Sequence, residues 1–237
     1  MGAEEVSAPE RARILQDLGL VAWSRRAEPE SVQRVTAAAE PAAAEPARTA
    51  GLPSWEELQQ TVSGCTRCAL AEQRKNTVFG VGSRTARWMI VGEAPGAEED
   101  RRGEPFVGRA GQLLDAILEA VGTSRDEVFI TNIVKCRPPG NRDPRPEEAE
   151  ACSGYLKTQI SLIDPALILA LGRVAAHNLL GVETPVGRLR GQVHEGPGGR
   201  PVVVTYHPAY LLRTPSAKRK TWDDLRLACS RVPAKVE

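Results

Sequence analysis

The chain has 237 residues, 41% hydrophobic and 26% charged, which suits an ordinary globular domain and excludes a disordered or fibrous one. Its net charge of +1 is an average: residues 1–50 carry eight acids and six bases, which leaves a small positive excess on the rest and a weak lean toward a polyanionic partner. No apolar run approaches the roughly 20 residues that span a bilayer, and the acidic start MGAEEVSAPE is no signal peptide, so a cytoplasmic protein without membrane contact is expected.

Residues 5–26 suit a short amphipathic helix, with Ser7 as cap, Pro9 in the first turn and Ile14, Leu18 and Val21 on one face. Such a stripe serves either docking on the domain or binding a protein partner. Residues 27–50, rich in Ala, Pro and Glu, have nothing to bury and read as a flexible linker. The expected division is therefore an extension over 1–50 and one domain over 51–237. Ser54-Trp55-Glu56-Glu57 has the capping-box pattern and opens a helix to about Ser63, followed directly by Cys65-Thr66-Arg67-Cys68.

Trp88-Met89-Ile90-Val91 is a continuous apolar run, as in a strand covered on both faces. Gly92 ends it, and the turn Gly92-Glu93-Ala94-Pro95-Gly96 leaves Glu93 at the carboxyl end of a central strand, where open α/β sheets place their chemistry. Alone, such a glutamate reads as a solvated loop residue, and G-x-x-x-G is not a dinucleotide fingerprint. Phe106 lies in a Gly/Pro-rich loop and reads equally as core or as a flat stacking surface.

Ala110–Val121 has helical spacing, and Val128–Asn132 is a second strand. The following stretch to Pro144 is too rich in proline to be regular, and Pro146 begins a helix to about Ile163 that carries Cys152. Ala166–Leu171 is a third strand and Arg173–Leu180 a helix on which His177 reads as structural. Val186–Glu195 is a small excursion, with His194 expected at the surface. Val202–Thr205 is the fourth strand, delivering a loop Tyr206–Leu212, a basic run Lys218-Arg219-Lys220 and a last helix to about Arg231. Alternating strands and helices predict an α/β protein, a three-layer α/β/α sandwich around a four-stranded, mainly parallel sheet. Glu93, Asn132 and His207 then end or follow three of its strands and can converge on one crevice at its carboxyl edge.

Five cysteines in a chain without a secretion signal favour metal ligation over a disulfide framework. Cys65, Cys68, Cys136 and Cys152 form a four-thiolate set; zinc and an iron–sulfur cluster both accept it, and the long uneven gaps favour [4Fe-4S] over a zinc ribbon. Such a site ties the segment after the first helix to the loop after strand two, a structural job. Cys229 is left over and reads as a small apolar residue.

GEAPG, GEPFVGRAGQLL, TNIVKCRPPGNRDP and HPAYLL, with four cysteines in this order, closely resemble the family-four uracil-DNA glycosylases of bacteria and archaea, over roughly residues 64–227. The resemblance implies a [4Fe-4S] cluster on Cys65, Cys68, Cys136 and Cys152, a monomer, and hydrolysis of the bond between uracil and deoxyribose in single- or double-stranded DNA. A base must leave the stack to be cut, so one pocket receives one flipped nucleotide. On this reading Gly92 and Phe106 contact the uracil, Phe106 stacking on its face. Asn132 reads the N3–H and O4 edge, His207 stabilises the developing charge on O2, and Glu93 orients the attacking water. Glu99 matches a position near C5, Leu211 and Leu212 are candidates for the wedge that fills the vacated stack, and Ser216, Lys218, Arg219 and Lys220 contact backbone phosphates. A related branch traps uracil-DNA covalently through a histidine after a basic run and carries glutamine after the motif glutamate. Here Ala94 and Lys218-Arg219-Lys220-Thr221-Trp222 depart from that pattern, which predicts turnover. The rival classes are a non-catalytic iron–sulfur nucleic-acid-binding module or polymerase accessory, and a nucleotide-binding or zinc protein outside repair.

Overall fold

All four apolar runs pair side by side in one sheet. The computed structural model describes residues 51–233; the helix and linker expected over residues 1–50 lie outside the described residues. The strands are β1 (Val81–Gly82), β2 (Trp88–Gly92), β3 (Phe129–Asn132), β4 (Leu167–Leu171), β5 (Val193–Glu195) and β6 (Pro201–Thr205). Their spatial order is β1-β3-β2-β4-β6-β5. The expectation of a four-stranded sheet is corrected to a six-stranded mixed one. β3, β2, β4 and β6 are parallel neighbours, while β1 and β5 close the two edges antiparallel. The two additions are two and three residues long and partly exposed, so neither presents the apolar run that marked the central four.

Helices cover both faces: α1 (Trp55–Ser63), α2 (Ala97–Arg102), α3 (Arg109–Ala120), α4 (Pro146–Ile163), α5 (Gly172–Leu180), α6 (Val186–Leu189), α7 (Pro208–Arg213) and α8 (Lys218–Arg231). Successive strand residues point to opposite faces. Met89, Val91, Ile168 and Ala170 accordingly pack with Leu58 and Val62 of α1, Leu156 and Ile160 of α4 and Val174 of α5. Trp88, Ile90, Leu167 and Leu169 pack with Leu114 and Leu118 of α3 and Leu225 and Ala228 of α8. α1 opens with the expected capping box: the Ser54 hydroxyl accepts from the Glu57 amide at 3.2 Å and the Glu57 carboxylate from the Ser54 amide at 2.7 Å. Among the described residues no helix is long and apolar enough to cross a membrane.

From β2 the chain steps outward to β3, then returns across β2 to β4, so the strand order reverses between β2 and β4. The carboxyl edge at that reversal is where an open sheet leaves a crevice.

Candidate active site

A cleft of about 440 Å³ lies at this edge, within the range of small-molecule sites. Gly92 and Asn132 are register partners at the ends of β2 and β3, so Glu93 and Asn132 emerge side by side. His207 follows Thr205, the last residue of β6. Between them β4 gives way to Gly172, the first residue of α5, at φ +87, where a Cβ would stand 3.0 Å from that of His207. Absence of a side chain there lets β6 deliver its histidine close to the strand reversal. Glu93, Asn132, His207 and Phe106 all line the cleft.

Asn132 is buried, and its side-chain Oδ1 has no hydrogen-bond partner. A buried amide oxygen without a partner is costly, about 1–3 kcal/mol, and its place in the cleft wall suits a ligand N–H. Gly92 makes room for it: a Cβ at residue 92 would lie 2.4 Å from Asn132 Oδ1 and 2.6 Å from the Phe106 ring. Phe106 meets both sequence readings at once, since it packs into the second core yet lines the cleft, its ring stacked on His207 with centroids 5.5 Å apart. Its backbone is left-handed, φ +53, a conformation costing a bulky residue roughly 1 kcal/mol.

His207 caps α7, and its Nδ1 accepts from the Ala209 amide at 3.1 Å. That bond places the proton of the neutral ring on Nε2. Burial first, then the nearby Arg213 charge, lower the pKa of His207 to about 4, so the ring is neutral at physiological pH. Glu93 moves the other way. Burial and then the neighbouring Asp143 carboxylate raise it to about 7, opposed by Arg173, which pairs with Asp143.

The remaining expected residues divide. Glu99 lines the cleft, but its carboxylate is occupied by backbone: Oε1 accepts from Val107 and Gly108 (2.9 and 3.0 Å) and Oε2 from Gly96 (3.1 Å). It shapes the loop that carries Phe106. The expected loop Tyr206–Leu212 is largely helix, because Pro208 fits the first helical position after the His207 cap. On α7 adjacent residues point different ways, and the pairing of Leu211 with Leu212 is corrected accordingly. Leu211 is 1% exposed and packed, so it is not available as a wedge, whereas Leu212 is 38% exposed. Ser216, Lys218 and Arg219 are exposed and outside the cleft, the two bases in the first turn of α8. Sequence reasoning missed Asp143 as the neighbour of Glu93; it lies in the motif GNRDP, but only the fold brings that loop over the end of β2.

The four expected thiols, Cys65, Cys68, Cys136 and Cys152, line one small pocket between the end of α1, the loop after β3 and α4. Among the described residues no three His, Cys, Asp or Glu side chains are gathered as a metal-ion site. The donor set nevertheless fits a four-thiolate group, because cationic and amide donors already face the sulfurs: Arg74 Nη1 lies 3.1 Å from Cys136 Sγ and the Lys135 amide 3.4 Å from Cys152 Sγ. Burial raises the Cys136 thiol to about 11 against the pull of Arg74, and raises Cys152 as well. Cys229 packs beside the second core, as an apolar residue would. His177 and His194 each bond a backbone carbonyl, of Thr184 and Leu189 respectively. His194 is partly buried, which corrects its expected exposure.

A cleft at the strand reversal, walled by an aromatic ring and an unpartnered amide and holding a carboxylate of raised pKa, puts the chain in the class of α/β enzymes with a small-molecule-sized site at the carboxyl edge of the sheet. Residues 79–226 match the model of the Uracil DNA glycosylase superfamily. Over 182 residues the chain is 44% identical to a type-4 uracil-DNA glycosylase of Thermotoga maritima, covering 74% of this chain and 95% of that one. A type-4 uracil-DNA glycosylase of Archaeoglobus fulgidus is 43% identical over 73% of this chain and 90% of its own. A type-5 uracil-DNA glycosylase of Thermus thermophilus is 35% identical over 55% and 68%. The chain belongs to the uracil-DNA glycosylase superfamily, in its type-4 branch.

Proposed function

We propose that this protein excises uracil from DNA by hydrolysing the N-glycosidic bond, leaving an abasic site. The observation that carries this reading is the buried Asn132 oxygen without a partner, in a cleft wall where only a glycine at position 92 leaves room for both that oxygen and the Phe106 ring. An extruded uracil supplies the N3–H that this oxygen lacks, while the Asn132 amide N–H meets O4. Cytosine presents no N3–H and an amino group in place of O4, so the amide in this orientation rejects it.

As the bond between N1 and C1′ breaks, its electron pair moves onto the base and reaches O2. The neutral His207 donates its Nε2–H to that oxygen, a contribution of about 3 kcal/mol for a well-placed donor. Glu93, ionised, orients the water whose oxygen bonds to C1′ and takes its proton. A pKa near 7 keeps a useful fraction of Glu93 ionised at neutral pH. Phe106 offers the face on which the base stacks. The exposure of Leu212 on α7 supports its reading as the apolar wedge that fills the vacated stack. Lys218 and Arg219 sit at the start of a 14-residue helix, where the macrodipole opposes cations and so favours their pairing with a backbone phosphate, next to Ser216.

Cys65, Cys68, Cys136 and Cys152 would hold a [4Fe-4S] cluster, which when bound supplies a covalent cross-link between three chain segments. The hydrolysis does not pass through it. The deciding experiment is release of uracil from an oligonucleotide, with a thymine oligonucleotide as control. Asn132→Ala is expected to abolish release while DNA binding persists; release undiminished in that variant rejects the reading, and DNA binding without release by the unaltered chain points instead to the binding module.

A further inference from the structure

Phe106 is held from both sides by groups that do not belong to its own turn. Downstream, Glu99 takes the amides of Val107 and Gly108. Upstream the grip comes from much further along the chain. Arg125, in the turn between α3 and β3, donates from Nη2 to the carbonyl of Pro105 at 2.7 Å and from Nη1 to that of Phe106 at 3.2 Å. The same Nη1 lies 2.8 Å from Asp115 Oδ1 on α3, so the guanidinium is itself anchored. Three-quarters of its side chain is buried. A planar fork reaching two successive carbonyls fixes their orientation, and with it the dihedral between them, in a way a single ammonium cannot.

That dihedral is the unusual one: Phe106 is one of three described non-glycine residues with positive φ, and its large side chain gains nothing locally from it. α3 presses from below, since a Cβ at Gly111 would lie 1.7 Å from the Phe106 carbonyl oxygen. Left-handed backbone is what turns the ring toward Gly92 and His207. Arg125 does not line the cleft and touches none of Glu93, Asn132 or His207.

We propose that Arg125, anchored by Asp115, is the positioning residue that sets the Phe106 ring over the cleft. The inference rests on the reading that the base stacks on Phe106. Removing the fork lets the turn relax to an ordinary backbone and swings the ring off the cleft. Asn132, Glu93 and His207, carried by other strands, stay where they are. Base capture therefore weakens while the chemistry on a captured base does not.

The test is single-turnover uracil release as a function of enzyme concentration, for Arg125→Met, Phe106→Leu and the double variant, with melting temperature recorded for each. Arg125→Met keeps the apolar stem and loses the fork. It is expected to raise the half-saturating concentration about five-fold, the size of one stacking contact, with the maximal rate within about two-fold. In the Phe106→Leu background it should add nothing. Equal losses in both backgrounds, a fallen maximal rate or an unchanged half-saturation overturn the proposal. If Phe106→Leu alone changes nothing, the stacking reading fails instead. Should Arg125→Met melt well below the parent, Arg125→Lys and Asp115→Asn are measured in its place. The same rise in half-saturation, absent in the Phe106→Leu background, is expected of them, and its absence is equally fatal.

Discussion

His207 and Glu93 face one cleft with pKa values displaced in opposite directions, and burial leads both shifts because it disfavours whichever form is charged. For His207 the consequence is a neutral donor with its tautomer set by the Ala209 amide. His207→Ala is expected to lower the single-turnover rate on saturating uracil-DNA by roughly 10²-fold with little change in affinity, because its bond strengthens only as charge reaches O2. For Glu93 the consequence is a visible titration. The rate at limiting enzyme should rise with pH through about 7 and then level, and Glu93→Gln should abolish that limb along with most activity. Stability runs the opposite way. A carboxyl whose folded pKa lies above its ordinary 4.5 stabilises the fold below that value, and this contribution is lost as pH rises through about 7. Glu93→Gln should therefore raise the melting temperature at pH 8 relative to the parent more than at pH 5. An equal offset at both pH values counts against the raised pKa.

At the scale of the element, α7 shows how a helix sorts neighbours that a loop would treat alike. Leu211→Ala removes a packed side chain and is expected to cost about 2–4 kcal/mol of stability, read by denaturant unfolding. Leu212→Ala should leave stability within about 0.5 kcal/mol and weaken action on paired uracil more than on single-stranded uracil. Equal loss on the two substrates removes Leu212 as the wedge. The helix itself was read as a loop, because six residues are too few to display a helical period and His207 is not a residue type that marks a cap in sequence. α2 escaped for the same reason: Ala97–Arg102 is mostly charged and covers only six residues. The four central strands and the longer helices up to Leu180 were legible to within a residue or two, since each buries a face and must repeat an apolar pattern to do so, whereas the last helix begins at Lys218 and takes in the basic run expected before it.

For the whole molecule, the four-cysteine pocket joins α1, the loop after β3 and α4, segments up to 87 positions apart between Cys65 and Cys152. With the cluster bound, purified protein should be brown and contain iron near four atoms per chain. Removing iron with a chelator after reduction is expected to lower the melting temperature by several degrees. Zinc in place of iron, with colourless protein, would falsify the cluster and leave the proposed active-site cleft untouched.

Local chemistry was decided by the residues alone: which runs are buried, where strands stop, which cysteines can chelate, and that an acid, an amide and an imidazole follow strands. These are properties of short windows, fixed by side-chain volume, polarity and backbone freedom. Proximity was decided by the tertiary structure, because it depends on strand order. The loop leaving β3 sets Asp143 against Glu93, the pairing of β4 with β6 places Gly172 against His207, and the outward step from β2 to β3 lets Arg125 grip the turn of Phe106. No window of the sequence contains both members of any of those pairs.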